Sequence, residues 1–234
     1  MFNNENINIK LAIIGSVGVG KSSIINRFIK DEFDTKINST LGANYSKKNM
    51  IINGKNITLD IWDTAGQEKF HSMGRHFYAN SHIIIIVYDI TNRTSFEDIK
   101  NHWYNDILEY AEKYKVLGFV GNKYDLYDNQ DIEEIDDNTI KDFIDAISWE
   151  NDNPIINMKV SAKTGVNVAR LFQKLVYKYL EKEYHILIKM KHFKDLTHLI
   201  LLKQKLKKKI RKNVVKINCY KNLFFHKTLM YIWL

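Results

Sequence analysis

Gly15-x-x-x-x-Gly20-Lys21-Ser22 is a spacing that wraps phosphate. Glycines let backbone N–H groups turn inward onto phosphate oxygens. A helix that begins at Lys21 turns its positive end toward the same anion. Lys21 is expected to reach the β- and γ-phosphates, and the Ser22 hydroxyl to ligate Mg²⁺. Ser16, Val17, Gly18, Val19, Gly20 and Ser23 complete the cradle. Val17 puts a β-branched side chain in the middle of this loop. The pattern implies a nucleoside triphosphate and leaves the base open.

Three later stretches carry the rest of that chemistry. "DIWDTAGQEKF" ends an apolar run at Asp63, a second Mg²⁺ ligand. Gly66 offers an unencumbered N–H to a γ-phosphate, and Gln67 beside it can orient an attacking water. "GNKYDL" places a carboxylate, Asp125, that can accept from the N1–H and amine of a guanine edge. Adenine offers no such pair, and an unpaired buried carboxylate is penalised by several kcal/mol. Asn122 can bond the other purine edge and tie loops together, and the Lys123 stem can cover the base. "SAK", Ser161, Ala162 and Lys163, can give the Ala162 N–H to guanine O6. The ligand is therefore expected to be GTP or GDP with Mg²⁺.

These residues need strand ends to hold them. Ile7–Ile14 is short and β-branched and reads as a strand, followed by a helix over Lys21–Lys30. Asn44–Ile52 and Asn56–Trp62 flank Asn53-Gly54, a hairpin signal, because both positions tolerate positive φ. "HIIIIVY" is apolar enough for a central strand covered on both faces. Helix over Phe96–Tyr114, strand over Val116–Val120, helix over Thr139–Ser148, strand over Ile155–Val160 and helix over Val166–Tyr184 continue the alternation. This predicts a parallel α/β sheet with one antiparallel edge hairpin. Asp125–Asp137 is acidic and reads as a solvated loop.

The order of these motifs resembles the small GTPases of the Ras superfamily, and specifically the Rab family, over about residues 8–182. "WDTAGQEKF" resembles the Rab second switch and "STLGANY" the first. "FHSM" and "LGANY" are most similar to the early-endosomal branch. Ala79 and Asn80 depart from the Arg-Gly pair usual there. The resemblance implies a P-loop small-GTPase fold: a six-stranded, mostly parallel sheet with one antiparallel edge strand and helices on both faces. It implies that Thr40 ligates Mg²⁺ and γ-phosphate and that Phe33 packs against guanine. It further implies a slow GTPase that switches state on hydrolysis. An exchange factor, an activating protein and effectors would read the two switch loops. Phe70, Trp62 and Phe77 or Tyr78 match the family's effector-contacting aromatics, and the chain is expected to be a monomer. Vesicle traffic on the cytosolic face of endosomal or other membranes is the implied role. The alternative is a GTP-binding scaffold impaired in hydrolysis, since Val17 is expected to crowd Gln67.

The charge distribution separates two regions. Glu181–Leu234 holds fourteen Lys/Arg and three Asp/Glu, a balance of +11 against +8 for the chain, so the remainder carries −3. Residues 1–182 are expected to form the GTP-binding domain, and 183–234 a basic amphipathic extension. Rab proteins usually end in prenylated cysteines, but this chain ends "HKTLMYIWL", with its single cysteine at Cys219. Ile186, Met190, Phe193, Leu196 and Ile200 recur at helical spacing among lysines. Four readings of the extension follow: an anchor on anionic lipid, nucleic-acid targeting, a partner-binding helix, or no role. Lysines near lipid contribute about 1 kcal/mol each, which favours the anchor; no nucleic acid is expected as a partner. The polar N-terminus and lone cysteine suit a cytoplasmic location. His71, His76 and His82 lack an i, i+4 pair and are not expected to form a metal site.

Overall fold

A computed structural model describes residues 6–35, 40, 42–65, 76–111, 113–127, 135–148 and 152–186. The chain divides into two compact units, Met1–Lys182 and Glu183–Leu234. The first contains strands β1 (Ile7–Ile14), β2 (Ala43–Ile52), β3 (Lys55–Thr64), β4 (Ile83–Asp89), β5 (Val116–Asn122) and β6 (Ile155–Lys159). Helices α1 (Lys21–Lys30), α2 (Arg93–Asp98), α3 (Tyr104–Tyr110) and α4 (Asp137–Ser148) alternate with them. A last helix, α5, starts at residue 168. Of the second unit only 183–186, also helical, are described.

The sheet order is β2-β3-β1-β4-β5-β6. β2 and β3 pair antiparallel and all other pairs are parallel. The hairpin turns on Asn53 (φ 51°) and Gly54 (φ 72°), the double positive φ of a two-residue turn matched to strand twist. The expected α/β fold, six-stranded with one antiparallel edge strand, is what forms.

Strand alternation explains the two cores. Ile9, Leu11 and Ile13 of β1 join Ile83, Ile85 and Val87 of β4 in one cluster with α1 and α5. Ala12 and Ile14 join Ile84, Ile86 and Tyr88 in a second cluster with α2, α3 and α4. Successive side chains point to opposite faces, so helices cover both sides of the parallel sheet. Phe28 of α1 stacks on Phe172 of α5, ring centroids 3.8 Å apart and planes at 11°. All backbone ends that carry polar motifs then emerge at one edge, the C-terminal ends of the strands.

Several boundaries differ from the spacing by a few residues, and two of the differences have a local cause. β3 continues through Asp63 and Thr64, because Thr64 Oγ1 donates to the Ile13 carbonyl at 2.9 Å and holds the strand against β1. The helix expected over Phe96–Tyr114 begins at Arg93, where the Asn92 side chain accepts from the Ser95 N–H. It is interrupted by a π turn over Ile99–Trp103 and ends at Tyr110. Spacing alone cannot show either a cap or an inserted residue. Part of the acidic run, 128–134, lies outside the described residues.

Phe172 is fully buried. Phe172→Ala is expected to cost about 3–5 kcal/mol, through lost burial plus the cavity left against Phe28. A urea unfolding midpoint that falls with an unchanged m-value checks this.

Candidate functional site

The phosphate loop joins β1 to α1 in a form only glycine permits at two positions. Gly15 has φ +136°, and a Cβ there would sit 2.3 Å from the Val87 carbonyl oxygen. Gly20 has φ +94°, and a Cβ there would sit 2.2 Å from Asn122 Nδ2. The loop is thus pressed against β4 on one side and β5 on the other. Gly20 caps α1 with no side-chain hydrogen bond, and the first turn holds no acidic residue. Its orphan N–H groups stay available to an anion.

Lys21 is only 6% exposed. Its ammonium donates to the carbonyls of Gly15 at 2.7 Å and Ser16 at 2.8 Å. Burial pushes its pKa down to about 8, while the charge of Asp63 pulls the other way. Ser22 Oγ donates to Asp63 Oδ2 at 2.5 Å and lies 2.9 Å from Thr40 Oγ1. Burial raises the Asp63 pKa, against the opposing effects of Ser22, Lys21 and Thr40. Its second oxygen, Oδ1, is buried and without a hydrogen-bond partner among the described residues.

That orphaned oxygen tests the fit of a metal. Two hydroxyls and a carboxylate converge within hydrogen-bond distance, all hard oxygen donors. Such a set suits Mg²⁺, which binds through one or two carboxylates and completes its shell with phosphate and water. The donors present therefore fit the ion. Among the described residues there is no cluster of three His, Cys, Asp or Glu, the pattern of an all-protein metal cage.

Next to the phosphate loop lies an open cavity of about 320 Å³. Phe33, Asn122, Lys123, Asp125, Ala162 and Lys163 line it, with Gly18, Gly20 and Ser23 at the phosphate-loop side. Asn122 organises this wall from the end of β5. Its Nδ2 donates to the Val19 carbonyl at 2.9 Å, and its Oδ1 accepts from the Ala162 N–H at 3.1 Å. Asp125 is held from the next loop: Ser161 Oγ donates to its Oδ1 at 2.6 Å, and Lys163 Nζ lies 3.7 Å from its Oδ2. Lys123 adopts φ 69° and pairs with Asp89 at the end of β4.

The structure thus brings together Ser16 through Ser23, Thr40 and Asp63 on one side, and Phe33, Asn122, Lys123, Asp125, Ser161, Ala162 and Lys163 on the other. Val17 is half exposed. Gly66, Gln67 and Phe70 lie outside the described residues, and with them the expected crowding of Gln67 by Val17. Sequence reasoning missed Arg27, whose Nε donates to the Ala162 carbonyl at 2.9 Å and whose guanidinium also donates to that of Lys163 at 2.7 Å. Its helical spacing gave no sign of that reach. Asp89 was missed too, as an acid ending an apolar strand carries no motif.

The aromatic surface resolves a choice left open above. Tyr45 and Trp62 rings lie 5.2 Å apart, and Trp62 and Phe77 5.0 Å apart. Tyr45 is half exposed, whereas Tyr78 is buried and donates to Asp106 at 3.0 Å. Phe77, not Tyr78, faces the patch. Tyr45 joins it, a position legible only from cross-strand register with Trp62.

The model of the Ras family matches residues 10–181. This chain belongs to the Ras family. It is a small GTPase, with Rab proteins among its relatives. Over 172 residues it is 36% identical to Ras-related protein RABF2b and 37% identical to RABF2a, both of Arabidopsis thaliana. Each match covers 74% of this chain and 81% of the relative. It is 38% identical over 165 residues to Ras-related protein Rab-31 of Mus musculus, covering 70% of this chain and 80% of that one.

For this GTPase, Asn122→Ala leaves a buried carbonyl and a buried N–H without their side-chain partner. The expected loss is about 2–3 kcal/mol of stability. It is read as a lowered denaturant midpoint, together with weakened guanine-nucleotide binding by titration calorimetry.

Proposed function

We propose that this chain is a Rab-type guanine-nucleotide switch serving vesicle traffic on the cytosolic face of endosomal or other vesicle membranes. The observation that carries the nucleotide assignment is the joint placement of Asp125, Asn122 and the Ala162 N–H around one cavity beside the phosphate loop. Asp125 accepts the two donors of a guanine edge, and Phe33 and the Lys123 stem cover its faces. Gly15–Ser23 and Lys21 hold the phosphates. Ser22, Thr40 and Asp63 would hold Mg²⁺, which when bound neutralises charge on the phosphate oxygens. Gln67 orients the water and Gly66 donates to the γ-phosphate. A γ-phosphate bonded to Thr40 and Gly66 draws both switch loops inward, and its loss releases them. The difference between the two states is what effectors read, through the patch of Tyr45, Trp62 and Phe77. An exchange factor and an activating protein set the rates, since intrinsic hydrolysis is slow without an added arginine.

The extension from Glu183 is the part we assign to membrane contact. Its support is the excess of basic residues and the helical spacing of Ile186, Met190, Phe193, Leu196 and Ile200. Among the described residues no helix is long and apolar enough to cross a membrane.

Asp125→Asn replaces an acceptor by an amide. GTP affinity is expected to fall by about 100-fold or more, because each guanine donor then loses an ionised partner. Xanthosine triphosphate, which presents an acceptor at that edge, is expected to gain relative to GTP. Competition for labelled nucleotide checks both, and a variant that still prefers GTP by the parental margin defeats the guanine assignment. On vesicles containing anionic lipid, the full chain is expected to co-sediment and a 1–182 truncation to stay in solution. Equal partitioning of the two defeats the membrane assignment.

A further inference from the structure

The Ser16 hydroxyl is engaged twice, both times by the segment after β4. It donates to Asp98 Oδ2 at 2.6 Å and accepts from the Trp103 indole N–H at 3.3 Å. The Ser16 carbonyl, on the other side of the same residue, accepts from the Lys21 ammonium at 2.8 Å. One loop residue therefore stands between the buried lysine and a helix more than eighty positions away.

The helix is irregular where these contacts form. In an α-helix, residues five apart lie about 140° apart around the axis, too far to face one serine. Ile99–Trp103 instead forms a π turn, in which the Tyr104 N–H bonds the Ile99 carbonyl. A turn closed from i to i+5 brings residues five apart onto one face. Asp98, just before the turn, and Trp103, at its end, thereby reach the same hydroxyl. Trp103 is 4% exposed, so water competes little with this bond. The Asp98 bond has an ionised acceptor, which strengthens it. π turns are rare and occur frequently at functional sites.

We propose that Asp98 and Trp103 are positioning residues for the phosphate loop. Through Ser16 they fix the carbonyl that orients Lys21, and nucleotide retention depends on this relay. Neither side chain is among those lining the guanine cavity. The inference rests on the reading of Gly15–Ser23 as the nucleotide's phosphate site.

The test is the release rate of labelled GDP from the full chain, chased with excess unlabelled GDP. Ser16→Ala is expected to speed release about tenfold or more, by losing a hydrogen bond to a charged group. Ser16→Thr keeps the hydroxyl and is expected to release GDP more slowly than Ser16→Ala. Asp98→Ala and Trp103→Phe each speed release, and in the Ser16→Ala background neither adds further. The parent's indole emission is expected to shift on GDP release, and part of that shift to be lost in Trp103→Phe. Parental release from Ser16→Ala overturns the relay, even if that variant melts at a lower temperature. So do Asp98→Ala and Trp103→Phe effects that persist in full without the Ser16 hydroxyl. A parent chain that fails to retain GDP overturns the phosphate-site reading itself.

Discussion

The Asn122 carboxamide is where three loops meet. It is 2% exposed, donates to the phosphate loop and accepts from the loop after β6. A buried amide with one donor and one acceptor satisfied in different loops leaves those loops little freedom to separate. Gly20 passes so close to it that no side chain fits between. The distance between the phosphate site and the base site is therefore set by protein contacts, not by ligand. Arg27 adds a second tie, from α1 to the carbonyls of Ala162 and Lys163.

The phosphate side is built the opposite way, with its charges incompletely matched. Lys21 is buried among carbonyls and its pKa is lowered; Asp63 is buried with one oxygen unpartnered among the described residues, and its pKa is raised. Both shifts have desolvation as their largest cause, so both charged forms are held at a cost. On the proposed reading, a phosphate beside Lys21 and a divalent cation beside Asp63 would remove that cost and so couple the two ligands to one another. The guanine side selects and the phosphate side responds.

The motifs are legible because each is a local rule. Gly15 and Gly20 announce a backbone that must approach its neighbours closely. Asn53-Gly54 announces a turn, and the isoleucines of β4 announce a strand covered on both faces. Residues that act through space carry no such signature. Arg27 occupies an ordinary helix position, and Asp89 an ordinary strand end. Tyr45 enters the aromatic patch only through its pairing with Trp62, across a register no single strand defines.

The amino-acid sequence by itself determined the ligand class and the order of the elements, because phosphate loops, turns and buried strands depend on residues adjacent in the chain. Tertiary structure alone decided which of Phe77 and Tyr78 faces outward, where β3 ends, and that Asp98 and Trp103 share one serine. The π turn is the clearest case. Its extra residue changes which side chains share a helix face, and the contact that gives this meaning, Ser16, lies in a loop on another part of the chain. Local pattern reads periods; it cannot read a break in period whose partner is eighty residues away.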